Sequence, residues 1–90
     1  MVVKKILYHP KFLSDLQQLP PGTLERVEKV EALFKSNPLH PSVRLHPLKG
    51  KLKGLWSISV TVGIRIIFER LEGGEIMFIS VGKHDIYRAR

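Results

Sequence analysis

The chain has 90 residues, of which 43% are hydrophobic, and it contains no cysteine. A chain of this length closes one core, so we expect a single domain over residues 1–90, and the lack of cysteine excludes disulfide bonds and thiolate metal sites. The 15 Lys and Arg residues exceed the 8 Asp and Glu residues, and the resulting net charge of +7 is typical of proteins that bind nucleic acid.

The N-terminal residues predict a short strand rather than a targeting signal. The segment VVKKILY is rich in β-branched and aromatic residues and ends at His9-Pro10. Its apolar run is too short for a signal peptide, and no segment of the chain approaches the ~20 apolar residues that span a bilayer. We therefore expect a cytoplasmic protein that does not bind membranes.

Two amphipathic helices are predicted after this strand. Apolar residues recur at helical spacing from Lys11 to Leu19, and the sequence LPPG ends that helix. From Thr23 to Lys35, apolar residues form one stripe while charged residues occupy the outer face. Together the two segments predict a helical hairpin.

The middle of the chain predicts a long irregular loop that carries positive charge. The prolines of SNPLHPSV end the second helix, and the connection continues through RLHPLKGKLKG. Residues 44–65 contain no Asp or Glu, but they include Arg44, Lys49, Lys51, Lys53 and Arg65. Because clustered positive charge attracts phosphate, this segment is a candidate nucleic-acid-binding surface, although charge alone does not fix the ligand. The simpler alternative is the ordinary surface charge of a basic protein.

Three strands are predicted in the last part of the chain. From Leu55, apolar residues alternate with Ser57, Ser59 and Thr61, and the segments IRIIFE and IMFISV are joined by the hairpin sequence LEGGE. The order β-α-α-β-β-β predicts an α+β fold, with a small antiparallel sheet and the helical hairpin packed on one face. The other face, with Ser57, Ser59 and Arg65, is expected to face water. The closing VGKHDIYRAR is expected to add a short helical turn beside it.

Four segments together resemble the RelE/ParE toxin superfamily, and within it the RelE-like and YafQ-like ribonucleases. They are KFLSDLQQLP, LHPLKGKLKGLWSISV, GIRIIFE and ISVGKHDIYR, and the resemblance covers the whole chain. It implies a toxin of a type II toxin-antitoxin module that inhibits translation by cutting mRNA on the ribosome. It further implies that neither a metal nor another cofactor is used, and that an acidic antitoxin neutralises the protein.

The implied reaction assigns roles to particular residues. When a ribose 2'-OH attacks the adjacent phosphorus, the enzyme must accept a proton, stabilise charge on the phosphoryl oxygens and donate a proton to the leaving oxygen. By resemblance, Arg65 stabilises the charge, His84 transfers a proton and Tyr87 donates a hydrogen bond or stacks on a base. His46 matches a loop histidine of YafQ-like toxins and is the alternative general base. The predicted RNA contacts are Arg44, Lys49, Lys51, Lys53, Lys83 and Arg88.

Other functions stay open at this point. Arg65 can be an ordinary exposed strand arginine, His46 a structural loop residue and Tyr87 a packing residue. RelE itself carries lysines where this chain has Ser57 and Ser59, which leaves room for a member that binds RNA or antitoxin without cutting. A ParE-like gyrase inhibitor is a further alternative. A metal hydrolase has the least support, because the four histidines show no short ligand spacing.

Overall fold

In a computed structural model, which describes residues 1–83, two helices and five strands follow one another. The strands are β1 (Lys5–Tyr8), β2 (His46–Pro47), β3 (Leu55–Ser59), β4 (Ile64–Arg70) and β5 (Glu75–Lys83), and the helices are α1 (Pro10–Leu16) and α2 (Thr23–Ser36). Single 3-10 turns occupy Pro41–Val43, Gly50–Leu52 and Glu72–Gly74. Neither helix is long and apolar enough to cross a membrane. The predicted C-terminal helical turn lies outside the described residues.

The sheet has the strand order β1-β5-β4-β3-β2. The predicted α+β class and element order are confirmed, but the sheet is mixed rather than wholly antiparallel, because β1 runs parallel to β5. Parallel neighbours need a long crossover, and here the helical hairpin and the following strands supply it. The strand β2 was not predicted. It lies in the segment predicted as a loop and consists of two residues that pair with β3.

The ends of the helices follow from local chemistry. His9 caps α1, since its Nδ1 accepts a hydrogen bond from the Lys11 N–H at 3.0 Å, and Pro10 occupies the first turn. The predicted end at Leu19 is too late by one turn. The helix ends at Leu16, and the next residues form tight turns toward Pro20, which cannot continue a helix.

Four buried phenylalanines join the helices to one face of the sheet. Phe12 of α1 and Phe34 of α2 meet Phe68 of β4 and Phe78 of β5, and all four are at most 1% exposed. The ring centroids of Phe34 and Phe68 are 5.0 Å apart, and those of Phe12 and Phe78 are 5.3 Å apart. The helical hairpin therefore packs on one face of the sheet, as predicted.

A polar cluster fastens α1 to the edge of β5 beyond the point where β1 ends. Asp15 Oδ2 accepts hydrogen bonds from Ser80 Oγ at 2.8 Å and from the Val81 N–H at 3.2 Å, and Lys11 Nζ lies 3.0 Å away. Burial alone would raise the pKa of the Asp15 carboxyl, but these hydrogen bonds, above all that from Lys11, lower it below its ordinary value. The cluster thus holds a carboxylate in its charged form.

Candidate functional site

A basic cleft lies between the segment 44–52 and the strands β3 and β4. Its volume is about 670 Å³. The described residues that line it are Arg44, Leu45, His46, Leu48, Lys49, Lys51, Leu52, Ser57 and Arg65. Five of these nine side chains are the predicted basic and histidine residues, so the structure brings the central part of the predicted site into one cavity.

The backbone at Arg44 turns the chain into this cleft. The preceding 3-10 turn is capped by His40, whose Nδ1 accepts a hydrogen bond from the Ser42 N–H at 3.0 Å, and it is anchored by the fully buried Val43. Arg44 then adopts a left-handed conformation with φ of 53°. This conformation costs a non-glycine residue roughly 1–2 kcal/mol, and the buried anchor at Val43 holds it in place.

Neighbouring strands place His46 and Arg65 on either side of β3. His46 in β2 pairs with Ser57, and Arg65 in β4 pairs with Ser59, two residues further along the same strand. His46 is exposed, whereas Arg65 is half-buried. An accessible imidazole and a partly shielded guanidinium therefore share the cleft.

The prediction that Ser57 and Ser59 are exposed to water is wrong. They lie 1% and 8% exposed. Ser57 occupies the middle of the sheet between His46 and Ile67, because the short strand β2 extends the sheet on that side. Ser59 is buried beneath the side chain of Arg65. This face of the sheet is polar, as expected, but its two serines are shielded from solvent.

One edge of the Arg65 guanidinium is fixed by the protein. Nη1 donates a hydrogen bond to Ser59 Oγ at 2.9 Å, and Ser59 Oγ donates to the carbonyl oxygen of Thr61 at 3.1 Å. Guanidinium carries five N–H donors, and within residues 1–83 this is the one side-chain bond that Arg65 makes. The remaining donors are available for a bidentate contact with phosphate.

The charge of the cleft is uncompensated within the described part of the chain. Arg44, Lys49, Lys51 and Arg65 line it, and no carboxylate appears among the described lining residues. The ion pair found in residues 1–83, Lys11 with Asp15, belongs to α1 and not to the cleft. A polyanion entering this cleft meets positive charge that is not already paired there.

Several predicted site residues lie elsewhere. Lys53 follows the 3-10 turn Gly50–Leu52 and does not line the cleft, and Lys83, at the end of β5, borders a different cavity with Asp15. His84, Tyr87 and Arg88 lie outside the described residues, so their roles stay predictions from the resemblance.

The apolar part of the cleft was not predicted from the sequence. Leu45, Leu48 and Leu52 line it between the cations, and the half-buried Leu45 and Leu52 offer apolar surface that the flat face of a base can contact. The signal was present in LHPLKGKLKG, where leucines alternate with basic residues, but in a loop such leucines do not reveal which way they point. In residues 1–83 no three His, Cys, Asp or Glu side chains are grouped as a metal site, and His46 is the one such donor among the described lining residues.

Comparisons with known proteins support the fold. No protein-family model matches the sequence, and no curated protein matches it. The structure is similar to YafQ from E. coli (22% identity, TM-score 0.76, 91% of this chain and 94% of that chain) and to the E. coli DinJ-YafQ complex (25%, 0.72, 90% and 93%). It is also similar to the YoeB/ParE toxin from Agrobacterium tumefaciens (21%, 0.73, 90% and 99%). The resemblance predicted from the sequence is thus confirmed, and the chain has the fold of the RelE/YafQ-like toxin superfamily.

Proposed function

We propose that this protein is the toxin of a toxin-antitoxin module and that it cuts mRNA on the ribosome with the basic cleft. The observation that carries the proposal is the half-buried Arg65 guanidinium, fixed along one edge by Ser59 and surrounded by three further cations and an exposed histidine. The similarity in fold to YafQ and to the DinJ-YafQ complex supports the toxin part of the proposal.

The cleft suits attack by a ribose 2'-OH on the neighbouring phosphorus. The nucleophile belongs to the substrate, so the protein has to supply charge stabilisation and proton transfer. The P–O5' bond breaks, leaving a 2',3'-cyclic phosphate on one fragment and a 5'-OH on the other. Arg65 stabilises the negative charge of the phosphorane. His84 transfers a proton, with His46 at the rim of the cleft as the alternative general base, and Tyr87 donates a hydrogen bond or stacks on a base.

The test is a direct comparison of two targets. Purified protein is incubated with ribosomes that carry a defined message, and in parallel with DNA gyrase and relaxed plasmid. We expect fragments of the message and normal supercoiling. An intact message together with inhibited supercoiling would replace this proposal with the ParE-like alternative.

Binding of RNA is expected to depend steeply on salt because Arg44, Lys49 and Lys51 would contact phosphates beside the cut. The slope of log K against log salt is negative, and each lost phosphate contact reduces its magnitude by about 0.7 for a single strand. Lys51→Ala should therefore flatten the slope by about that amount. Fluorescence anisotropy of a labelled RNA between low and physiological salt measures it. Lys29→Ala, on the exposed side of α2, is the matched control, and equal slopes for both variants would remove Lys51 from the interface.

A small acidic partner is expected to neutralise the protein. The net charge of +7 offers charge to a partner, and within residues 1–83 the cleft cations form no ion pair and β1 and β2 are the edge strands of the sheet. Pull-down from the native host at low and moderate salt should recover an acidic protein encoded next to this one, and adding it should stop cleavage. Recovery of no such protein, with none encoded nearby, would contradict the antitoxin prediction.

A further inference from the structure

The turn between β3 and β4 reaches the cleft through a chain of hydrogen bonds. Arg65 Nη1 donates to Ser59 Oγ at 2.9 Å, and Ser59 Oγ donates to the Thr61 carbonyl at 3.1 Å. Because arginine has no acceptor, the direction of the first bond is fixed, and the Ser59 proton must point away from Arg65. The Thr61 carbonyl accepts the hydrogen bond from the Ser59 hydroxyl, so the serine lone pairs face the guanidinium.

The side chain of Thr61 in turn fixes the turn itself. Its Oγ1 accepts hydrogen bonds from the Gly63 N–H at 3.3 Å and the Ile64 N–H at 3.1 Å. The Ile64 carbonyl accepts from the N–H groups of Val60 at 2.8 Å and Thr61 at 3.2 Å. These bonds close the turn and hold the Thr61 carbonyl where Ser59 meets it.

We propose that Ser59 is a positioning residue that sets the plane of the Arg65 guanidinium, and that Thr61 supports Ser59 through the turn. The proposal rests on the proposed function for its effect on cleavage, but its structural part concerns Arg65 alone. A guanidinium is rigid and planar, so fixing one nitrogen restricts the direction in which the other donors point. Ser59 is 8% exposed and therefore acts from beneath Arg65 without needing contact with RNA.

Removing the Ser59 hydroxyl is expected to change turnover more than binding. In Ser59→Ala the charge of Arg65 remains, so KM should stay within about twofold, whereas kcat should fall roughly tenfold because the donors no longer meet the transition state in one orientation. Thr61→Val, which keeps the shape but loses Oγ1, should reduce kcat in the same sense. Ser59→Thr retains the hydroxyl and should restore most of the activity.

The direct readout is the NMR spectrum of the Arg65 side chain in the RNA-free protein. In the parent, hindered rotation should give separate Nη signals at low temperature, and in Ser59→Ala these signals should merge. Ser36→Ala is the matched control, since it removes one hydroxyl bond to a main-chain carbonyl, that of Leu33 in α2. It should leave both the Arg65 signals and cleavage unchanged.

The outcomes separate this proposal from the function it rests on. If the parent cuts no RNA but Ser59→Ala still frees the Arg65 signals, the proposed function fails and the positioning by Ser59 stands. If the Arg65 signals are the same in the parent and in folded Ser59→Ala, the positioning proposal is overturned, whatever the cleavage rate. If Ser59→Thr does not fold, Thr61→Val supplies the second variant, and unchanged Arg65 signals in both remaining variants overturn it equally.

Discussion

Replacing Arg65 with alanine is expected to slow ribosome-dependent cleavage of mRNA by roughly 100-fold or more, the usual cost of removing a group that stabilises transition-state charge. The structure gives the reason, because Arg65 donates a hydrogen bond to Ser59 and, within residues 1–83, its other donors make no side-chain bond in a cleft of positive charge. Arg65→Lys keeps the charge but loses the planar fork, so it should recover only part of the rate.

Single-turnover cleavage rates measure this effect without interference from product release. Arg26→Ala is the matched control, because Arg26 is exposed on α2 and does not line the cleft. Arg65→Ala should remain folded, since the described residues give it one side-chain hydrogen bond whose loss costs about 1 kcal/mol. A parental rate in folded Arg65→Ala would exclude Arg65 from the chemistry.

Removing Asp15 is expected to have the largest effect on stability among the polar residues of the fold. Its carboxylate binds Lys11, Ser80 and the Val81 N–H, and its side chain is 21% exposed. Breaking a largely buried, charge-assisted cluster leaves polar groups unpaired, so Asp15→Ala should lower the free energy of unfolding by about 2–3 kcal/mol. Urea denaturation at neutral pH measures the change, with Ser14→Ala, on the exposed side of α1, as the control.

The contribution of Asp15 is also expected to depend on pH. Folding lowers the pKa of this carboxyl below its ordinary value of 3.8, which is the value of the unfolded chain. The stabilisation is therefore fully present above that value and is lost as the pH falls through the lower pKa of the folded state. The difference in unfolding free energy between the parent and Asp15→Asn should be constant near neutrality and shrink in acid. If the difference in unfolding free energy stayed constant as the pH fell well below 3.8, it would contradict the hydrogen bonds assigned to Asp15.

The sequence predicted those parts of the fold that repeat locally. The apolar stripe of α2 reports which side of that helix is buried, because a helix has a fixed period. The pairing of β1 with β5 joins residues about seventy positions apart, and no local period reports its direction. The contacts of Asp15 with Ser80 and Val81 also join residues that are far apart in the sequence. The hydrogen bond from Tyr8 of β1 to Glu31 of α2 is a further contact that no local period reports.

The candidate site was predictable where charge alone decides it. A stretch of 22 residues from Arg44 to Arg65 without a carboxylate has to create a positive surface wherever it folds. The burial of Ser57 and Ser59 was not predictable, because Ser57 is covered by the two-residue strand β2 and Ser59 is contacted by the side chain of Arg65 from the neighbouring strand. The turn that supports Ser59 depends in the same way on which atoms the Thr61 side chain reaches.

If the cleft around Arg65 uses the 2'-OH of the message as the nucleophile, cutting must depend on that hydroxyl. Two ribosome-bound messages are compared that differ only in a single 2'-deoxynucleotide at the mapped cut. The proposed mechanism predicts that the unmodified message is cut to leave a 2',3'-cyclic phosphate and that the deoxy message stays intact at that position. Equal cutting of both messages, or no cutting of the unmodified message by folded protein, would contradict it.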